Sequence, residues 1–444
     1  MEFSTNLAID PTLFVVGVLS LAVLYVPFSP MTIDLLPVSR RAQVWIYQNR
    51  NMLWGLAWAA LGLLVMRSIA GFLLAAGGEE LAGFAEAGKW FKDFFGAADP
   101  MWLWISGVTI AGTVAAFWGG YVPYVMTPPT RQKLCDIAAA DQYLGPDDVV
   151  LGLTIDGVAR AYPRDAIARP HYFTDEINGT PLMISYCILC NSAIAFHRQF
   201  DGRMLNLKCL TAYNNNIIYF EPDRGNFIQQ LDGNIFHGPD AGRALEPVPL
   251  LVTSWREWKS LYPDTGMYFA PATTIRDRMV ALMLQMMIPI SRLSRRTRPW
   301  HRVRGALDER LPAMSFVYGI EIGDDSTVFP TPQASDDSRV KVAVNELVGG
   351  APVVFLFDEA RTMGQIFSRD VDGKVLTFFR SDEDTGDTSA VARDEESGSL
   401  WDVAGRAISG PYSGKSLNLL PHFNKIFWFS WALFKPGTRI TGVT

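Results

Sequence analysis

Two cysteines stand two residues apart in "ISYCILCNSAIAFHRQFDG", residues 184–202, as Cys187 and Cys190. A Cys-x-x-Cys pair supports three kinds of chemistry: a metal clip, a thiol–disulfide couple, or two small buried side chains. Attached c-type haem needs a histidine directly after the second cysteine, and position 191 is asparagine. A metal site needs further ligands. His171 in "RPHYFTDEING" and His237 in "FHGP" are the best placed, ahead of His197 and Cys209. Two thiolates with one or two imidazoles suit copper or zinc better than carboxylate-preferring ions. The expectation is therefore one soft-metal site built from Cys187, Cys190, His171 and His237, with redox and structural roles for the cysteine pair as alternatives. No phosphate loop, nucleophile elbow or dinucleotide fingerprint occurs, so no nucleotide cofactor is expected.

These residues must be positioned by strands. From about residue 128 the sequence alternates in short runs punctuated by Gly, Asp-Gly and Pro, which is a β-rich pattern. The strand "PLMISY" leads into Cys187, and "AIAFHRQF" leads away from Cys190. The same pattern then recurs. "GLTIDGVARAYP" (152–163) matches "GIEIGDDSTVFP" (319–330), and residues 180–207 match 351–378 without a gap. "QQLDGNIFHGPDAGRAL" (229–245) matches "WDVAGRAISGPYSGKSL" (401–417). "WREWKSLYPDT" (255–265) matches "WFSWALFKPGT" (428–438), which pairs Trp255 with Trp428 and Trp258 with Trp431. Four blocks in one order indicate two copies of one unit. Asp201-Gly202 and Asp372-Gly373 are expected to be tight hairpin turns, and the tryptophans core residues. Cys187 aligns with Asp358, Cys190 with Arg361, His171 with Val342 and His237 with Ser409, so the candidate ligands belong to the first copy alone.

The front of the chain has a different character. Hydrophobic residues make up 49% of 444, high for a soluble protein and low for a pure membrane bundle. The excess lies in 12–29, 53–77 and 101–127, each about long enough for a transmembrane helix. Net charge is −6, and no clustered basic face suggests nucleic acid as a partner. Between the copies, "RDRMVALMLQMMIPISRLSRRTRPWHRVRG" (276–305) joins a short apolar run to six arginines, as an interfacial or docking helix would. "RSDEDTGDTSAVARDEESG" (380–398) reads as a solvated loop.

The fold class expected is thus membrane-anchored and mainly β (α+β), with N-terminal transmembrane helices followed by a duplicated β-rich domain. Its segments are 1–127 (three helices), 128–272 (first copy), 273–310 (basic insert) and 311–444 (second copy). Membrane lipids and other membrane-protein subunits are the expected partners, and an accessory subunit of a membrane complex the expected role. "GLTIDGVARAYP", "INGTPLMISYCILCNSAIAFHRQFDG" and "TSWREWKSLYPDT" together resemble an uncharacterised prokaryotic family, catalogued as domain of unknown function 3179. The resemblance covers about residues 135–270 and, more distantly, the second copy. Members typically carry Tyr-Cys-Pro-Leu-Cys where this chain has Tyr186-Cys187-Ile188-Leu189-Cys190, and a His-Glu pair where it has His171-Tyr172. The resemblance implies no established activity. A multi-pass location in the prokaryotic inner (cytoplasmic) membrane is expected, with either side open to the C-terminal part.

Overall fold

A computed structural model describes residues 39–49, five positions between 52 and 62, 133–168, 171–269, 297–299, 303–331, 340–361, 363–385 and 388–441. The chain divides into two compact units, Met1–Tyr124 and Val125–Thr444. In the first, the helix Arg40–Gln48 starts at Ser39, whose Oγ accepts the Ala42 N–H at 3.2 Å. Its nine residues reach about 14 Å, less than half a bilayer's hydrocarbon thickness.

The expected membrane-anchored architecture is corrected here. Among the described residues no helix is long and apolar enough to cross a membrane, and the described elements are mainly strands. The transmembrane helices and the multi-pass inner-membrane location therefore have no support in the structure. Stretches 12–29 and 101–127 lie outside the described residues, as does 53–77 apart from positions 55, 56, 59 and 62. Most of the basic insert 273–310, namely 273–296 and 300–302, also lies outside them.

In the second unit the strands run, in chain order, β1 (Lys133–Cys135), β2 (Val149–Ile155), β3 (Val158–Pro163), β4 (Tyr172–Ile177), β5 (Thr180–Cys187), β6 (Ser192–His197), β7 (Gln199–Phe200) and β8 (Arg203–Met204). They continue with β9 (Lys208–Tyr213), β10 (Asn216–Glu221), β11 (Asn226–Gln229), β12 (Ile235–His237), β13 (Pro247–Val248), β14 (Leu251–Ser254) and β15 (Gly266–Phe269). Three larger sheets result, in the orders β1-β15-β3-β2-β14, β13-β6-β5-β4 and β12-β11-β10-β9, beside the two-stranded β7-β8. Strand β15 lies parallel to β3, whereas β14 pairs antiparallel with β2. A parallel return needs a crossover, which the helix Trp255–Leu261 supplies between β14 and β15. Ser254 caps that helix by accepting the Glu257 N–H at 3.3 Å.

The remaining strands are β16 (Phe316–Ile322), β17 (Asp325–Pro330), β18 (Lys341–Val348), β19 (Ala351–Asp358), β20 (Met363–Ser368), β21 (Asp370–Val371), β22 (Lys374–Val375) and β23 (Phe378–Arg380). After them come β24 (Asp384–Thr385), β25 (Thr388–Ser389), β26 (Ala392–Asp394), β27 (Leu400–Trp401), β28 (Ala407–Ser409), β29 (Phe423–Phe427) and β30 (Arg439–Ile440). Their sheets run β29-β16-β17-β30, β18-β19-β20 and β23-β26-β27-β28. Strand β30 is again parallel to β17, and the helix Trp428–Phe434 is the crossover. The strand order of the first half therefore recurs in the second. Both Asp-Gly turns have positive φ at both residues, as a two-residue hairpin requires. The stretch 380–398, expected as a solvated loop, instead contributes strands. Its Asp394 is buried because the carboxylate accepts the Trp401 indole N–H at 2.9 Å.

Two cores meet at β19. Val354 and Leu356 face a cluster that holds Trp255, Trp258 and Trp401. Val353, Phe355 and Phe357 face another around Tyr318 and Phe329. This is the two-residue alternation of a strand covered on both faces. Each crossover helix lays a tryptophan on a glycine of the facing strand. A methyl group at Gly152 would come within 2.1 Å of the Trp258 ring, and one at Gly319 within 2.5 Å of Trp431. Gly152→Ala and Gly319→Ala should therefore each destabilise the protein by about 1–3 kcal/mol. Urea unfolding of each variant measures this. Alanine in an otherwise permissive strand position would give no loss, or a small gain.

Candidate functional site

The hairpin joining β5 to β6 carries the cysteine pair. Cys187 closes β5 directly opposite Ser192, and residues 188–191 form the turn. Asn191 takes the left-handed conformation that asparagine tolerates, with φ 55°. The turn is tied to the second half at two points. Asn191 Nδ2 donates to the Lys425 carbonyl at 2.6 Å, and the Phe427 N–H donates to the Cys190 carbonyl at 3.1 Å. Both cysteines are fully buried and unbridged.

Their surroundings are polar. Ser185 and Cys187 share one face of β5, and Ser192 lies on the same face of β6. That face meets the end of β10, which begins at a two-residue Asn214-Asn215 turn with φ 49° and 62°. Cys187 Sγ lies 3.4 Å from the Asn215 carbonyl, one of two acceptors, with Cys190 Sγ, that its single S–H can serve. Asn216 Nδ2 donates to Cys190 Sγ at 3.3 Å and to Gln230 Oε1 at 2.7 Å. Its Oδ1 accepts from Gln229 Nε2 at 2.6 Å and from the Leu231 N–H at 3.1 Å. Ser192 Oγ stands 3.1 Å from Cys190 Sγ and 2.8 Å from Gln230 Oε1. Gln230 Nε2 donates to Ser185 Oγ at 3.2 Å, and Ser185 donates to the His171 carbonyl at 3.0 Å. Every one of these side chains except the turn asparagines Asn191 and Asn214 is at most a few per cent exposed.

This network separates the two thiols. Burial alone pushes the Cys190 thiol up, because a thiolate is costly away from water. Hydrogen bonds from the Cys187 thiol, the Ser192 hydroxyl and the Asn216 amide outweigh that and bring it below the ordinary thiol value. Cys187 moves well upward, through burial first and its hydrogen bond to Cys190 second. Ser192 can serve either protonation state. With Cys190 protonated, the thiol donates to Ser192 Oγ and the hydroxyl donates to Gln230. With Cys190 ionised, the hydroxyl turns to the sulfur while Asn216 still satisfies Gln230 Oε1.

The metal-binding expectation for Cys187, Cys190, His171 and His237 is corrected. Among the described residues no group of three or more His, Cys, Asp or Glu side chains could hold a metal ion. The thiols turn to amide and hydroxyl partners. His237 is exposed on β12, paired with Phe227 at the start of β11, whereas the network is reached by Gln229 and Gln230 at that strand's end. His171 joins through its carbonyl, and its buried ring Nδ1 has no hydrogen-bond partner. Ser185, Ser192, Asn216, Gln229 and Gln230, with Tyr219, whose hydroxyl lies 2.5 Å from Ser185 Oγ, are not among the residues expected from the sequence. Their one signal is a dense run of amides, "NNN" at 214–216 and "QQ" at 229–230, amid apolar strands.

Burial lowers the His171 imidazole to about 4, against an opposing pull from the Tyr186 backbone. The unfolded chain therefore takes up a proton near the ordinary value of 6.5 while the folded protein does not. Stability is complete above that value and falls as pH drops through 6.5 towards 4, by on the order of 3 kcal/mol. His171→Asn, which tolerates the site's φ of 66°, should flatten that part of the stability–pH curve. Chemical denaturation at several pH values tests it.

No curated protein and no solved structure matches the chain. The family model described as "Protein of unknown function (DUF3179)" matches residues 120–438, well over half of the length and both halves of the second unit. The hairpin, the amide network and every strand of the repeated sheets except β30 lie inside that match, and the chain belongs to this family.

Proposed function

We propose that Cys187 and Cys190 form a thiol–disulfide redox couple in which Cys190 is the attacking thiolate. The observation that carries the reading is the hydrogen-bond set on Cys190 Sγ, which favours the thiolate despite full burial. Such a thiol, titrating closer to neutrality than an ordinary cysteine, combines thiolate population with nucleophilicity. In the reaction Cys190 S⁻ attacks one sulfur of a substrate disulfide. A mixed disulfide forms and the other substrate sulfur leaves as thiolate. Cys187 then passes its proton to the departing second thiolate as its sulfur bonds to Cys190. The protein gains the 187–190 disulfide, and the substrate gains two electrons and the one proton of Cys187, so that one of its sulfurs leaves as thiol and the other as thiolate, which takes its proton from solvent. The second half supports the assignment by contrast. There the corresponding positions hold Asp358 and Arg361, and Ser185, Tyr186 and Ser192 are replaced by Leu356, Phe357 and Met363.

Equilibration of the full chain in dithiothreitol buffers of graded potential, followed by peptide mass mapping, tests the couple. The 187–190 peptide should interconvert between dithiol and disulfide in one two-electron step. Cys187→Ser should trap a mixed disulfide on Cys190, whereas Cys190→Ser should trap none. Asn216→Leu should shift the pH dependence of Cys190 alkylation upward while leaving the peptide's redox change intact. A pair that stays dithiol at every potential, or a trap that forms on Cys187, would overturn the reading.

A further inference from the structure

Strand β29 departs from the repeat at one place. Its counterpart in the first half, β14, pairs with β2 in unbroken register: Ser254 with Val149, Thr253 with Val150, Val252 with Leu151 and Leu251 with Gly152. In the second half Phe427 pairs with Phe316 and Ile426 with Val317, but the partner of Gly319 is Phe423. Asn424 and Lys425 therefore both fall opposite Tyr318, a β-bulge of one extra residue that β14 lacks. Lys425 has a φ of 51°. Glycine suits that left-handed conformation, and a lysine held in it is strained.

The bulge lies against the cysteine turn. A bulge leaves its extra residue out of the ladder, and the Lys425 carbonyl turns instead to Asn191 Nδ2 at 2.6 Å. Asn191 Oδ1 accepts the Tyr186 hydroxyl at 2.7 Å, which fixes the orientation of that amide. Two residues after the bulge, the Phe427 N–H donates to the Cys190 carbonyl. Residues 190 and 191 are thus both held by β29. The turn residues Ile188 and Leu189 are buried along with the two cysteines. Cys187 Sγ faces the Asn215 carbonyl, and Cys190 Sγ faces Ser192 and Asn216. A disulfide attacked by Cys190 must come within bonding distance of its sulfur, so the turn has to leave this seat first.

We propose that the β29 bulge is a clasp on the cysteine turn, and that its local release, with both halves otherwise folded, admits the substrate disulfide to Cys190, an assignment that rests on the thiol reading for the substrate and on the bulge alone for the motion. Iodoacetamide labelling of Cys190 and hydrogen exchange of β29, both on the full chain and followed by peptide mass, test it. Asn191→Gly tolerates the positive φ and removes the bond to Lys425. It should speed labelling about fivefold, the worth of one net hydrogen bond, and lower protection of the β29 peptide by the same factor. The pH midpoint of labelling should stay in place, because the donors to Cys190 Sγ are unchanged. Protection of β19, between the two cores, should also stay in place. Asn191→Asp keeps an acceptor for Tyr186 but sets a carboxylate against the Lys425 carbonyl. It should speed labelling likewise, and it keeps the test readable if the glycine variant does not fold. Labelling of the folded variants at the wild-type rate, or protection lost from β19 as much as from β29, would overturn the clasp. Faster labelling with protection lost from β29 alone, in a protein whose cysteine pair never cycles in dithiothreitol buffers, would uphold the clasp and overturn the redox reading.

Discussion

Each half of the second unit depends on one contact, an indole ring laid flat where a strand has no side chain. Trp258 covers Gly152 and Trp431 covers Gly319. In both, the indole N–H donates to a threonine seven residues on, Thr265 at 2.9 Å and Thr438 at 3.0 Å. The contact seats the crossover helix on the sheet. The seated helix then delivers the next strand parallel to its neighbour, which a short turn cannot do. Glycine is required at the strand position because any Cβ would occupy the ring's place, and tryptophan because its large apolar face and single donor suit a buried seam with one acceptor. The two crossover helices begin alike: the Trp255 and Arg256 N–H groups donate to the Asp148 and Pro146 carbonyls, and the Trp428 and Phe429 N–H groups to the Ser315 and Ala313 carbonyls. Ser254 adds a side-chain cap to the first helix, and the second has none.

On this repeated frame the two β-hairpins have diverged in how they satisfy a buried polar turn. In the second half, Asp358 ends β19, accepts the Ala360 N–H at 3.0 Å and lies 3.9 Å from Arg361. Arg361 also reaches Glu257 of the first half at 3.4 Å. Charge is balanced locally, and the strand face beside it is apolar. In the first half the same positions hold two thiols, which bring no fixed charge. A large set of neutral donors and acceptors surrounds them instead. Such a network is stabilising only when nearly every member is paired. Asn216 is its hub, since its amide contacts Cys190, Gln230, Gln229 and the Leu231 backbone together. The second half also closes over the first at this point, because Lys425 and Phe427 of β29 bond the cysteine turn.

Much of the frame was legible in the chain itself. The Asp-Gly turns, the paired tryptophans and the repeated strand order follow from local rules: positive φ, large apolar area and two-residue alternation. The confinement of Cys187 and Cys190 to one copy was legible too, because aligned positions differ in chemistry. The apolar runs near the front were read by length and hydropathy as membrane spans, and among the described residues no helix has that length and character. Ligand choice failed for a different reason. His171 and His237 were selected for residue type and nearness in sequence, but strand register decides which side chains converge. A shift from one end of β11 to the other separates His237 from Gln230.

The sequence alone determined the Asp-Gly turns, the strands that flank them and which copy holds the thiols, since these depend on residue types and on neighbours close in the chain; the strands within 380–398 needed the tertiary structure. Tertiary structure alone decided what the thiols touch. Asn216 and Gln230 lie far from Cys190 in sequence, yet sheet packing brings Asn216 Nδ2 to 3.3 Å from its sulfur and Ser192 between the sulfur and Gln230. Whether a buried cysteine favours thiol or thiolate is set by donors arriving from other strands. That balance has no signature in the Cys-x-x-Cys spacing.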